Sequence, residues 1–222
     1  MGDFSRRTWR VSLRPLRRNY EAAELTEQSA DPDPVQQFNS WFTDAQAADL
    51  IEPNAMVVST STLAGKPSAR VVLLKEFGND GFTFYTNYLS RKGRELEANP
   101  LATLTFYWGE LERQIRIEGT VSKTERSQSE EYFSSRPRAS RLGAWVSQQS
   151  DVVSNRENIE ATLKELEERF SGNDDIPAPE HWGGYRLDPE LFEFWQGRPN
   201  RLHDRLVYRR SSNGWIMERL WP

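Results

Sequence analysis

Ala55-Met-Val-Val-Ser-Thr-Ser-Thr62, Ser68-Ala-Arg-Val-Val-Leu-Leu-Lys-Glu-Phe77 and Phe82-Thr-Phe-Tyr-Thr-Asn87 are three runs rich in β-branched and aromatic residues. They are separated by Ala64-Gly-Lys-Pro67 and Gly78-Asn-Asp-Gly81. Branched and aromatic side chains suit a pleated, half-buried surface, and Gly/Asn/Asp clusters suit tight reversals. Two hairpin connections within about thirty residues describe an antiparallel meander, since a parallel βαβ unit would need a helix between strands.

Downstream, Ser90-Arg-Lys-Gly-Arg-Glu-Leu96 reads as a short helix with Ser90 as its N-cap, stopped at Asn99-Pro100. Strands are expected over 101–108 and 113–124. Helices follow over 128–135, from Pro137 to Val146, and over 153–170. A Pro- and Asp-bearing linker spans 172–179. Strands return over 182–187, 191–196, 203–209 and 215–220, the last pair joined at Ser212-Asn-Gly214. Upstream, Asp33-Pro34 opens a helix whose Val35, Phe38, Trp41, Phe42 and Ala45 keep the spacing of one buried face. Residues 1–33, with arginines at 6, 7, 10, 14, 17 and 18, read as a partly mobile arm before a single domain over 34–222. The expected fold is mainly β with α, a β-barrel decorated by helices.

The 222 residues carry a formal charge of −4, which argues against bulk affinity for nucleic acid but allows a local basic pocket. There is no cysteine, so thiolate chemistry and Cys-based metal sites are excluded, and the two histidines do not have metal-ligand spacing. No apolar run is long enough to span a membrane, and the N-terminus lacks the apolar core of a secretory signal, so a cytoplasmic protein is expected.

Several stretches suggest anion binding. Tyr85-Thr86 followed by Ser90-Arg91-Lys92 brings hydroxyls and two cations to a helix start, where exposed N–H groups already favour an anion. Tyr132, Arg136 and Ser140 are spaced by four across Pro137, which lets a second helix begin beside Arg136. Arg70 and Lys75 should fall on opposite faces of one strand, serving two ligands or simply meeting solvent. In Phe194-Trp-Gln-Gly-Arg-Pro-Asn-Arg-Leu-His-Asp-Arg205, a turn at Gly197–Asn200 uses glycine for positive φ. Beyond it Arg201, His203 and Arg205 would share one strand face, about 7 Å between neighbours. A solvated strand with surface arginines would show the same pattern. Gln114, Gln149 and Ser150 can hydrogen-bond a heteroaromatic edge, and Trp195 can stack on a ring or fill the core. There is no GxGxxG and no Walker loop.

Taken together, Arg70-Val-Val-Leu-Leu-Lys75, Phe84-Tyr-Thr-Asn87, Ser90-Arg-Lys92, Tyr132-Phe-Ser-Ser-Arg-Pro-Arg138, Trp182-Gly-Gly-Tyr185 and the 194–205 stretch resemble the pyridoxine/pyridoxamine 5′-phosphate oxidase family. The resemblance implies an FMN-binding split β-barrel, forming a homodimer with FMN at the interface. It implies oxidation of pyridoxine 5′-phosphate or pyridoxamine 5′-phosphate to pyridoxal 5′-phosphate, by hydride transfer from substrate C4′ to flavin N5. O2 would be the acceptor, giving H2O2, and NH3 from the amine. Carried over, FMN would meet Arg70, Val71, Val72, Leu73, Leu74, Lys75, Tyr85, Thr86, Arg91, Lys92, Gln114, Gln149, Ser150, Trp195 and Arg205. The substrate phosphate would meet Lys75, Tyr132, Arg136 and Ser140. Arg201 and His203 would face the substrate ring as catalytic residues, and Arg17 and Tyr20 would close over it. No metal is implied. The family's optional arginine cluster after Tyr20 is replaced here by Glu21-Ala-Ala-Glu-Leu-Thr-Glu27, which makes a second, regulatory phosphate site doubtful. Other split-barrel flavoproteins, including deazaflavin-dependent and haem-handling ones, are the competing enzyme reading; a barrel binding single-stranded nucleic acid is the non-enzymatic one.

Overall fold

The chain enters its first helix, α1 (Pro34–Ala47), through Asp33, whose carboxylate accepts from the Val35 N–H, as the Asp-Pro signal requires. The computed structural model describes residues 19–222; Arg17 and the arginine-rich start lie outside the described residues. Among the described residues the order continues β1 (Ala55–Ser61), β2 (Pro67–Leu73), β3 (Glu76–Gly78), β4 (Gly81–Asn87), α2 (Arg91–Ala98), β5 (Leu101–Trp108) and β6 (Arg113–Lys123). Then come α3 (Arg126–Ser135), α4 (Arg138–Val146), α5 (Arg156–Arg169), β7 (Trp182–Gln196), β8 (Asp204–Ser211) and β9 (Gly214–Arg219).

All strand pairings are antiparallel. The sheet runs β2-β1-β5-β6-β7-β4-β3, with β8 on β7 and β9 on β8. The outermost strands of that path, β2 and β3, are consecutive in sequence and joined only by Leu74 and Lys75, and the Lys75 N–H donates to Thr83 O of β4 at 2.9 Å. The sheet therefore rolls up on its own chain, giving the split β-barrel the sequence implies. Phe38 and Trp41 of α1 plug it, with edge-on rings of Phe77, Phe82, Phe106 and Phe194 around them. Ring-edge to ring-face packing adds roughly 1 kcal/mol per pair beyond area burial. A second cluster, Phe133, Leu142, Phe170, Ile176 and Trp182, holds the helical side to the start of β7.

Three expectations are corrected. The strand expected over 68–77 is two: β2 stops at Leu73, Leu74 keeps one last in-register bond to Asn54 O with its side chain in the core, and from Lys75 the chain changes partner, its N–H going to Thr83 O of β4. The two strands expected over 182–187 and 191–196 are one, bent at a bulge opposite Gly119, the kind of irregularity that accommodates Pro189. A Cβ at Gly119 would sit 2.0 Å from Asp188 O, so only glycine fits. The strand expected from His203 begins at Asp204, since Pro199–Arg201 forms a 3-10 turn.

Candidate functional site

A cavity of about 980 Å3 opens between β2, the end of β4, the start of α2 and the α3–α4 corner. β2 flanks it as the sheet's edge, so Val71, Val72 and Leu73 line it beside Arg70. Lys75 lines it too, just beyond the end of β2, with its N–H on Thr83 O of β4. Leu74 is in the core and does not reach the cavity.

One end is built on the N-terminus of α2. Ser90 caps it through the Gly93 N–H at 3.3 Å. The Lys92 ammonium is buried and donates to Thr86 Oγ1 (2.9 Å), Ser90 Oγ (3.3 Å) and Gln149 Oε1. Burial, with Arg70 adding to it, pushes the Lys92 ammonium down to about 8. The Arg91 N–H donates to Ser150 Oγ at 3.1 Å. Behind them lies Glu95, which accepts from Thr60, Ser68 and Arg91 and pairs with Arg70 at 3.5 Å. Burial pushes Glu95 up, yet the bonds from Ser68, Thr60 and Arg91 outweigh it and hold the carboxyl at about 2. Arg70 is therefore oriented from the rear, and also donates to Val58 O (3.1 Å) and Thr60 Oγ1 (2.7 Å).

The other end is built on the α3–α4 corner. α3 ends at Ser135 because Pro137 cannot continue it, leaving Arg136 extended between the helices. Its guanidinium lies 4.9 Å from the Trp182 ring centre and 5.5 Å from that of Phe133. Arg136 Nη1 is buried without a hydrogen-bond partner, and burial lowers its pKa. Tyr85 stacks against both Tyr132 (4.1 Å) and Trp182 (5.4 Å), which also touch each other (6.1 Å), and its hydroxyl has no partner. Burial first, then Glu76, pushes that hydroxyl up to about 12. Lys75 Nζ lies 5.9 Å above the Tyr132 ring, and Ser140 completes this wall. Buried donors without acceptors cost free energy, so this end is prepared for an anion.

Gln114, Trp195, Arg201, His203 and Arg205 do not line this cavity. Gln114, Trp195 and Arg205 stand opposite one another in one row across β6, β7 and β8. Arg201 and His203 precede β8, so the shared strand face expected for Arg201, His203 and Arg205 is corrected. The cause is backbone: Asn200 and Arg201 both take left-handed conformations, φ 57° and 62°, which turn the chain before the strand starts. Such a conformation costs a non-glycine residue roughly 1–2 kcal/mol. Gly197 does not supply the positive φ; a Cβ there would lie 2.7 Å from the Tyr20 ring, so glycine is needed for close approach. Tyr20 packs edge-on against Trp195 (5.7 Å) and His203 (5.6 Å). His203 Nδ1 accepts from the Arg198 N–H at 3.1 Å, which puts the proton of the neutral ring on Nε2. Burial, then the charge of Arg201, lowers its pKa and favours that neutral form. The acidic segment after Tyr20 is docked by Arg198 on Glu24 (3.2 Å) and by Arg219 on Glu27 (2.9 Å). Arg219 also pairs with Asp204 at 2.8 Å.

Glu95 and Glu193 carry no signal in the sequence, and Trp182 enters there only as part of a motif, with no role at the site. Trp182 had one signal, the following Gly183-Gly184, both of which allow neighbouring side chains to approach closer than a Cβ would permit.

Split-barrel topology and a cleft with cationic side chains at each end define a split-barrel protein whose cleft suits anionic groups. Residues 42–170 match the family model described as pyridoxamine 5′-phosphate oxidase, and residues 182–222 match the pyridoxine 5′-phosphate oxidase C-terminal dimerisation region. The chain belongs to the pyridoxine/pyridoxamine 5′-phosphate oxidase family and is an enzyme of that oxidoreductase class. It is 57% identical over 213 residues to the pyridoxine/pyridoxamine 5′-phosphate oxidase of Rubrobacter xylanophilus, covering 96% of this chain and 98% of that protein. Identity to the same-named protein of Cyanothece sp. is 54% over 212 residues, covering 96% and 99%. Among solved structures, PhzG from Burkholderia lata 383, in complex with tetrahydrophenazine-1-carboxylic acid, is similar with a TM-score of 0.84 and 31% identity, covering 91% of this chain and 100% of that one. No helix among the described residues is long and apolar enough to cross a membrane.

Proposed function

We propose that the chain oxidises pyridoxine 5′-phosphate or pyridoxamine 5′-phosphate to pyridoxal 5′-phosphate with FMN as its cofactor and O2 as acceptor. H2O2 is released, and NH3 when the substrate is the amine. The observation that carries this reading is a single cavity with two anion pockets, one around Lys92 and one around Arg136, whose buried Arg136 Nη1 and Tyr85 hydroxyl have no partner in the fold. The residues fit FMN: a phosphate suits Arg70, Arg91, Lys92, Thr86, Gln149 and Ser150, and a polar ring edge suits Gln114, Trp195 and Arg205. Bound FMN supplies the hydride acceptor.

The chain's own groups then orient the substrate. Lys75, Tyr132, Arg136 and Ser140 hold its phosphate. His203 Nε2–H donates to a ring oxygen, Arg201 steadies charge developing on the ring, and Tyr20, with Arg17 of the preceding arm, shuts out water. Trp182 and Trp195 sit at opposite ends of β7, separated by roughly 40 Å of extended chain, less the bend at its bulge. One copy therefore offers the two anion pockets and a second copy the Trp195–His203 group, which makes the homodimer the working unit. The match of 182–222 to a dimerisation region supports this.

In flavin-loaded protein without oxygen, pyridoxamine 5′-phosphate should bleach the flavin absorption band, and unphosphorylated pyridoxamine at equal concentration should not. An unbleached band with both phosphorylated substrates would overturn the assignment.

A pH effect follows from Lys92. In the free protein its ammonium titrates at about 8, and a bound phosphate raises that value. The complex then holds more protons than the free protein above pH 8. FMN affinity should be flat from about pH 7, where the phosphate is dianionic, up to that pH and fall by up to tenfold per unit above it. Fluorescence titrations should show the slope vanish in Lys92→Met; the same slope in that variant would remove Lys92 from the phosphate pocket.

A further inference from the structure

On the sheet face turned away from the aromatic core, the row next to Gln114–Trp195–Arg205 holds Arg116, Glu193 and Val207. Glu193 is a carboxylate with 3% side-chain exposure, on a strand whose flanking Phe192 and Phe194 fill the core. Its Oε1 accepts from Arg205 Nε at 2.8 Å and lies 2.7 Å from Arg205 Nη2. The remaining Arg205 nitrogen, Nη1, donates to Trp221 O at 2.8 Å. A guanidinium tied at all three nitrogens has one orientation, and an N–H on each Nη atom is still left for a ligand. Glu193 Oε2 lies 2.8 Å from Arg116 Nη2, a more exposed partner.

We propose that Glu193 is a positioning residue of the cofactor site: it locks Arg205 in line with Trp195 and Gln114 so that its two free N–H groups face the polar edge of the flavin ring. This rests on reading Arg205 as a flavin contact. A carboxylate suits the task because only an ionised acceptor both neutralises a partly buried guanidinium and fixes its plane. The bland alternative is that Glu193 merely balances Arg116 and Arg205 within the sheet.

FMN titrated into the flavin-free, full-length chain and followed by quenching of flavin fluorescence separates the two. Glu193→Gln and Arg205→Gln should each weaken FMN about tenfold, as loss of a charged hydrogen bond does. The double variant should bind no more weakly than Arg205→Gln, because Glu193 acts through Arg205. Arg116→Met, which removes the other partner of the same carboxylate, should leave affinity unchanged. Glu193→Asp keeps the charge but withdraws it from Arg205 and should also weaken binding; it stands in if Glu193→Gln does not fold. Wild-type affinity in the Glu193 variants, losses that multiply in the double variant, or an equal loss in Arg116→Met would each overturn the proposal. Failure of the unaltered chain to bind FMN would instead sink the cofactor reading, and this inference with it.

Discussion

Chains carrying Arg136→Ala and chains carrying Arg201→Ala, each nearly inert alone near the wild-type KM, should recover about a quarter of wild-type turnover when unfolded together and refolded as a one-to-one mixture. The reason is the placement of the two residues. Arg136 stands at the α3–α4 corner beside Trp182, at the start of β7, and Arg201 follows the end of that strand. If a working site takes Arg136 from one copy and Arg201 from the other, a mixed dimer has one doubly damaged site and one intact site. Random pairing makes half of the dimers mixed, so about one site in four is whole. Sites contained within single chains would give no recovery at all, and that result would remove the shared site from the proposed mechanism.

Arg136→Lys should raise KM for the phosphorylated substrate by roughly 30- to 100-fold while changing kcat little, corresponding to about 2–3 kcal/mol of lost charged hydrogen bonding. The guanidinium lies against the Trp182 and Phe133 rings and has a buried Nη1 without a hydrogen-bond partner, a geometry that a lysine ammonium cannot copy. Because the phosphate is remote from the reacting carbon, its contacts are made equally in ground and transition states, so the loss appears in KM. Steady-state kinetics on the variant give the split directly. A variant with unchanged KM and depressed kcat would mean that Arg136 acts on the reacting end of the substrate.

Local chemistry made much of this legible in the sequence. Asp33-Pro34, Ser90 and the Gly81 and Gly214 hairpins act within a few residues of themselves, and each forms as read. Arg91, Lys92, Tyr132 and Arg136 were readable as anion-binding because each adjoins a helix end set by its own neighbours. What stayed hidden depends on distant partners. Nothing near Leu74 announces that the chain leaves β1 there and that Lys75 gives its N–H to Thr83 O of β4. Strand alternation failed at Arg201, where two left-handed residues override it. Glu193 reads as an ordinary charge in an alternating strand until β6 and β8 bring two arginines against it.

The joint at Leu74-Lys75, where the sheet's first edge strand hands over to its last, also bears a residue of the proposed phosphate pocket. The curling of the sheet and the assembly of the pocket are thus one event. A molecule whose seam has sprung open keeps most of its hydrophobic interior yet has nowhere to seat a phosphate, so vacancy and mis-rolling are two symptoms of the same defect.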